Sequence, residues 1–354
     1  MQVQPSLFGD ASARAALPLL GEQKDIRYYA SNARSVLNGP ATTGMGFWSI
    51  NPFVGCAFGC AYCYARYAHR YVAERVAASQ AADRFTADAG ELPPWLAFER
   101  RILVKREAGA IVRRELRRPA RYEALQRETV VIGTATDPYQ PAERRFRVTR
   151  GVLEVLAEQR GMSVTIITKS PLVTRDVDLL SRINERSELS VHVSLITVDR
   201  ELARRLEPRA PTPEARLRAI ARLRSHGIEV GVNCMPVLPG ITDAPAQVEA
   251  LVQSVAGANA SYLAACALRL QSTARARYLP FIEAEFPELA SRYRATYARG
   301  HQAGERYREG LRERFAAVCA RNGLEFSQRY RAADDADEAE APPAVPEPQL
   351  GLWV

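Results

Sequence analysis

Asn51-Pro52-Phe53-Val54-Gly55-Cys56-Ala57-Phe58-Gly59-Cys60-Ala61-Tyr62-Cys63-Tyr64 is the segment on which the reading of this chain turns. Its cysteines are spaced C-x3-C-x2-C. Three thiolates on one short loop can each hold one iron of a four-iron cubane. No fourth cysteine is near, so the fourth iron would stay open to another ligand. Gly55 and Gly59 let the backbone turn sharply and bring amide hydrogens toward sulfur. Structural zinc is the competing reading. Zinc takes four closed ligands, and His69, six residues beyond Cys63, could complete the set. The C-x3-C spacing is less usual for zinc pairs, so a cluster is preferred. The other cysteines, Cys234, Cys266 and Cys319, are scattered. That usage suits a metal site better than a disulfide ladder, and a reducing, cytoplasmic compartment is the expectation.

Downstream of the loop, short β-branched runs recur at Thr129–Thr134, Ser163–Thr168, Ser190–Ser194, Glu229–Cys234 and Tyr262–Leu268. The stretches between them have helical periodicity. Thr149–Arg160 carries Val152, Leu153, Val155 and Leu156 on one face and stops at Gly161. Pro213–His226 has Thr212 as N-cap, Pro213 in its first turn and Gly227 as its stop. Strand and helix alternating at this spacing predict βαβ units and a parallel sheet. The runs end on polar residues: Thr134-Ala135-Thr136-Asp137, Thr168-Lys169-Ser170, Ser194 and Asn233-Cys234. In a parallel barrel such ends converge on one face, where ligands bind. Strand ends are also polar simply because they meet water, but the lysine among them favours a site. Helices are expected at Phe281–Leu289 and Arg306–Arg321.

The cysteine loop, with an aromatic just before its third cysteine and a barrel-like βα pattern behind it, resembles the radical S-adenosylmethionine superfamily. Further segments resemble the spore photoproduct lyase-related group: Asn51-Pro52-Phe53, Cys63-Tyr64-Ala65-Arg66, Gly133 to Pro141, Ile167-Thr168-Lys169-Ser170 and Pro239-Gly240-Ile241-Thr242-Asp243. The resemblance covers about residues 47–325. It implies an α/β fold, a partial (β/α)6 parallel barrel at 46–275. An N-terminal extension at 1–45, read as irregular, precedes it, and a helical region at 276–330 follows.

The resemblance also implies the site. Cys56, Cys60 and Cys63 match the ligands of a [4Fe-4S] cluster, and S-adenosyl-L-methionine would chelate the open iron. Tyr62 matches the aromatic that lies against the adenine. Thr134, Thr136 and Asp137 stand where the superfamily holds the methionyl amine. Lys169 and Ser194 match contacts to the methionyl carboxylate. A surface lysine and an internally bonded hydroxyl are the plainer readings of those two. Reductive cleavage of the sulfonium to a 5′-deoxyadenosyl radical is the implied chemistry, fed by an electron donor such as flavodoxin or ferredoxin.

Departures from the lyase limit the analogy. The lyase places a cysteine hydrogen donor between the cluster loop and the second strand, and this chain has no cysteine between 63 and 234. Tyr62 and Tyr64 do match the two tyrosines proposed for hydrogen relay. Cys234 could offer a thiol to the cavity from another strand end, although a small buried residue is the plainer reading.

Charge and the tail bear on partners. Formal net charge is +8, with −5 carried by residues 331–354 and +13 by the rest. So basic a body favours a polyanion such as nucleic acid, although only three of the basic residues are lysines and arginine-rich coding would give the same balance. Residues 331–348 are mostly Ala, Asp, Glu and Pro and are expected to be disordered. The terminal Gln349-Leu350-Gly351-Leu352-Trp353-Val354 resembles the peptide by which bacterial repair proteins dock on the sliding clamp, and Gln4 to Phe8 has a similar shape. No run approaches a membrane span. The expected function is radical chemistry on nucleic acid, with DNA photolesion repair foremost. The alternatives are a radical enzyme acting on a peptide or small molecule, and a zinc-stabilised nucleic-acid-binding protein without catalysis.

Overall fold

The computed structural model describes residues 19–43 apart from 32 and 34, and residues 46–66, 84–298 and 300–327. His69, Gln4 to Phe8 and the tail with Gln349 to Val354 lie outside the described residues.

Among the described residues, twelve strands form two sheets. They are β1 (Leu19–Gln23), β2 (Ile26–Ala30), β3 (Leu37–Asn38), β4 (Trp48–Ile50), β5 (Phe53–Val54), β6 (Arg101–Val104), β7 (Val130–Ile132), β8 (Ser163–Thr168), β9 (Glu188–Ser194), β10 (Glu229–Val237), β11 (Tyr262–Ala267) and β12 (Glu325–Phe326). The larger sheet runs β12-β11-β10-β9-β8-β7-β4-β3. Every neighbouring pair from β4 to β12 is parallel, and only β3 is antiparallel. Its edge strands, β3 and β12, do not pair with each other, so the barrel is partial.

All five expected runs became strands of this sheet. Alternation then decides what each strand shows to each side. On β8, Val164 and Ile166 join the core with Val152, Leu153, Leu179 and Ile183 of the covering helices. Ser163, Thr165 and Ile167 face the other way and are half-buried. The helix Pro213–Arg224 begins as its sequence predicts, with the Thr212 hydroxyl accepting the Ala215 N–H at 3.4 Å. Gly161 and Gly227 end their segments in the left-handed region, at φ of 66° and 73°.

Two expectations need correction. Residues 19–30 of the segment read as irregular are ordered into strands: β1 and β2 form a hairpin, and β2 continues into a second sheet ordered β1-β2-β6-β5. These strands run to five residues at most, and Gly21 interrupts β1, so no alternating run marks them. The helix expected to start at Phe281 begins at Ser272 and runs through Pro280 to Glu285. Proline argues for a boundary in sequence, but here it sits inside a helix packed against the core through Tyr278, Phe281 and Ile282.

Candidate active site

The cysteine loop leaves β4, crosses through Asn51 and Pro52 into β5, and opens over the C-terminal ends of the parallel strands. Its backbone is fastened residue by residue. The Cys56 N–H donates to the Phe98 carbonyl at 3.0 Å and the Ala61 N–H to Leu206 at 2.9 Å. The Ala57 N–H donates to Gln140 Oε1 at 3.0 Å. The Gly55 carbonyl accepts from Thr136 Oγ1 at 2.6 Å and Gln140 Nε2 at 3.1 Å. Arg66, with its side chain 1% exposed, donates to the Cys60 carbonyl at 2.6 Å and pairs with Glu99 at 2.8 Å. Gly55 has φ +89°, and a Cβ there would stand 2.7 Å from the Phe98 carbonyl oxygen. Only glycine fits that turn.

All three loop cysteines are free thiols; Cys60 is buried, while Cys56 and Cys63 are half-buried. Burial, with Asp137 and Cys63 beside it, pushes the Cys56 thiol up to about 12. Burial raises Cys60 as well. Such thiols give up their protons to a metal centre whose positive charge replaces them. Among the described residues no three His, Cys, Asp or Glu groups converge on a single metal ion. Three thiols on one loop suit one thiol per iron, and His69, the fourth ligand that zinc would need, lies outside the described residues.

Around the loop the strand-end residues are tied to one another. Asn51 Nδ2 donates to Thr134 Oγ1 at 3.0 Å, and Asn51 Oδ1 accepts the Ala135 N–H at 2.8 Å. Asp137 accepts from Thr168 Oγ1 at 2.7 Å and from the N–H groups of Tyr139 at 2.9 Å and Lys169 at 2.7 Å. It thus locks the end of β7 to the end of β8, and burial holds its carboxyl above the usual range. Thr136 supports the loop through Gly55, and Thr134 accepts from the Tyr64 hydroxyl through its carbonyl. Tyr64 is 48% exposed, at the mouth of the site.

Beneath the loop lies a buried charge group that sequence reasoning did not find. Glu207 accepts from the Tyr62 hydroxyl on one oxygen and from Arg216 on the other. Lys169 Nζ is 3.8 Å from the first oxygen and 5.7 Å from the centre of the Tyr62 ring. Arg216 also donates to the carbonyls of Ser194 at 3.0 Å and Pro211 at 2.9 Å. The Glu207 and Arg216 side chains are each 1% exposed. Burial works against the Lys169 ammonium, but Cys60 and Glu207 outweigh it, so it stays charged to higher pH than usual. Both Glu207 and Arg216 sit in charged, helical-looking sequence, where solvent exposure is the ordinary inference.

The structure gathers Cys56, Cys60, Cys63, Tyr62, Tyr64, Thr134, Thr136, Asp137, Lys169 and Ser194 at one mouth. Cys234 is not among them. It shares the β10 face of Val230 and Val232, is 0% exposed, and its thiol faces the Ile196 carbonyl at 4.0 Å inside the core. The idea of a hydrogen donor there is corrected: strand alternation turns this thiol toward the covering helices.

A family model for the radical SAM superfamily matches residues 50–252. An uncharacterized protein of Mycobacterium bovis is 34% identical over 329 residues, covering 92% of this chain and 86% of the relative. An uncharacterized protein of Methanocaldococcus jannaschii is 25% identical over 194 residues, covering 55% of this chain and 61% of that protein. Among solved structures, a tyrosine-to-phenylalanine variant of spore photoproduct lyase aligns over 89% of this chain and 87% of its own, with TM-score 0.56 and 14% identity. A cysteine-to-alanine variant of the same lyase with dinucleoside spore photoproduct aligns over 84% and 81%, with TM-score 0.56 and 13% identity. At those identities the likeness is one of fold.

Proposed function

Because the chain belongs to the radical SAM superfamily of enzymes, we propose that it binds a [4Fe-4S] cluster on Cys56, Cys60 and Cys63 and acts on nucleic acid, with photolesion-bearing DNA as the first candidate. When bound and supplied with one electron by an external donor, the cluster and S-adenosyl-L-methionine would supply radical chemistry at a substrate carbon. The observation that carries the reading is the three-thiol loop fixed over the parallel strand ends, with Lys169 held beside it.

Lys169 is the cation for a methionyl carboxylate, and Ser194 on the neighbouring strand adds a hydroxyl. Glu207 keeps Lys169 oriented, and Arg216 balances the carboxylate that does so. Tyr62 presents its ring from the cluster loop while Glu207 holds its hydroxyl. Thr134, Thr136 and Asp137 form the turn that receives the methionyl amine. Asp137 already accepts three hydrogen bonds, so it shapes that turn more than it offers a free carboxylate. Tyr64 is the exposed ring at the mouth and the candidate for stacking on a base and for hydrogen relay.

Support for nucleic acid comes from the basic body of the chain and from the shared fold with a lyase solved with a dinucleoside lesion. A flavodoxin or ferredoxin is the class of electron donor, and the cytoplasm the expected compartment. No helix among the described residues is long and apolar enough to cross a membrane. The test is anaerobic reconstitution with iron and sulfide, then S-adenosyl-L-methionine and reductant, with and without ultraviolet-irradiated DNA. Deoxyadenosine formation supports the chemistry and lesion loss the substrate. A colourless protein holding stoichiometric zinc refutes both.

A further inference from the structure

The inward face of the partial barrel is polar, and its lower part is satisfied from within. Thr165 and Ser190, register partners on β8 and β9, lie 3.1 Å apart at their hydroxyls. Ser190 meets His192 Nε2 at 3.4 Å, and that nitrogen also meets the Tyr262 hydroxyl from β11. Gly231 of β10 lies in register between His192 and Tyr262. The Tyr262 ring crosses over it so closely that a Cβ at 231 would lie 2.2 Å from the ring.

One step along the same face stands Asn233. It pairs in register with Ser194 on β9 and Ala264 on β11. Asn233 is 5% exposed, and its buried Oδ1 meets no donor among the described residues. A buried carbonyl oxygen without a protein partner destabilises a fold unless a water, an ion or a ligand supplies the missing donor. The floor beneath it is the tied-up Tyr262 ring, and Ala264 beside it brings no polar group.

We infer that Asn233 is a substrate contact, reading the edge of a heteroaromatic base that offers an N–H next to an acceptor. This rests on the proposed nucleic-acid reading. A carboxamide carries an acceptor and a donor side by side, which matches the N3–H and O4 of a thymine edge-on. The contact adjoins the cofactor residues, because Asn233 is the register partner of Ser194. Tyr62, Lys169 and Glu207 gather at the β8 and β9 ends under the cluster loop, whereas Asn233 lies one strand further round. A substrate carbon must lie next to the cofactor's radical centre, and β10 is the adjoining strand.

The experiment uses the full chain reconstituted with its cluster, S-adenosyl-L-methionine and no reductant. The probe is the thymidine dinucleotide TpT and its N3-methylated counterpart, measured by equilibrium binding. Wild type should bind TpT about 5- to 150-fold more tightly than the methylated probe, the span of one good two-point base contact. Asn233→Leu should lose that preference, bind S-adenosyl-L-methionine within about twofold of wild type, and melt no lower than wild type. Equal binding of the two probes by wild type overturns the inference even if Asn233→Leu fails to fold. A selective loss of S-adenosyl-L-methionine binding in Asn233→Leu also overturns it and makes Asn233 a cofactor residue. If wild type binds TpT and the variant keeps the preference, this inference alone fails. If wild type binds no dinucleotide, the nucleic-acid reading fails with it.

Discussion

Glu207→Gln is the substitution that most directly probes how this site is held. The side chain keeps its shape but loses its charge, leaving Arg216 buried without a counter-ion and beside it an unbalanced Lys169. Removing one partner of a buried ion pair costs about 3–5 kcal/mol. Taking roughly 300 residues to unfold together, with an unfolding entropy of about 2.1 cal/mol/K per residue, that is a fall of about 5–8 °C in Tm. The assay is thermal unfolding of the cluster-free protein beside the double variant Glu207→Gln with Arg216→Gln. Removing the orphaned guanidinium as well should recover much of the loss, because the cost arises from the uncompensated charge. The pH sign is fixed too. Burial raises the Glu207 pKa, but Arg216 and Lys169 outweigh it, so the folded value lies below the ordinary 4.5. The carboxylate's stabilisation is then complete above that ordinary value and disappears as pH falls through the lower folded one. Wild type and Glu207→Gln should therefore converge in stability in strong acid. A single variant within about 1 kcal/mol of wild type, or a double variant no better than the single, refutes the buried-pair reasoning.

Cys56→Ala, Cys60→Ala and Cys63→Ala should each lose the four-iron cluster, judged by iron and sulfide content and by the reduced-cluster electron paramagnetic resonance signal, while Cys266→Ala and Cys319→Ala retain it. Gly55→Ala should reconstitute poorly even with all three thiols present, because its φ of +89° and the 2.7 Å approach to the Phe98 carbonyl force the loop to shift; full iron loading in that variant would show that the turn is slack. Burial lowers Lys105 to about 8 from 10.5. Between those values the unfolded chain carries the proton and the folded chain does not, so this residue's contribution to stability rises with pH across that window. Lys105→Met should lose this rise in stability between about pH 8 and 10.5; a difference from wild type that is independent of pH in denaturant titrations would contradict this.

Much of the architecture could be read directly. Five β-branched runs, each followed by helical periodicity, translate into β7 to β11, and the cysteine spacing picks out the loop above them. The second sheet was not legible because its pieces are short and come from both sides of that loop: Phe53 and Val54 pair with Val104 and Leu103, and Arg27 with Arg101. Glu207 and Arg216 escaped notice for a different reason. Charged residues on arginine-rich helical sequence read as a solvated face, and only tertiary packing buries these two. At the end of β10 the difficulty was one of parity. Chemistry drew the eye to Cys234, but the strand's alternation sends that side chain to the helices with Val230 and Val232 and leaves Asn233 facing inward.

Only Asn51 and Pro52 separate β4, which belongs to the large sheet, from β5, which belongs to the small one. The cysteine loop is therefore strung between two frames, with no slack on its entry side to absorb a rotation of one against the other. The frame that meets β5 is completed by β2, through β6. The same small sheet also leans on the barrel, since Ile26 and Tyr28 share a core with Ile50, Val130 and Ile132, and Arg145 donates to the Leu20 carbonyl at 2.9 Å. The amino-terminal hairpin is thus a brace for the sheet from which the cysteine loop departs: β1 backs β2, β2 backs β6, and β6 holds β5.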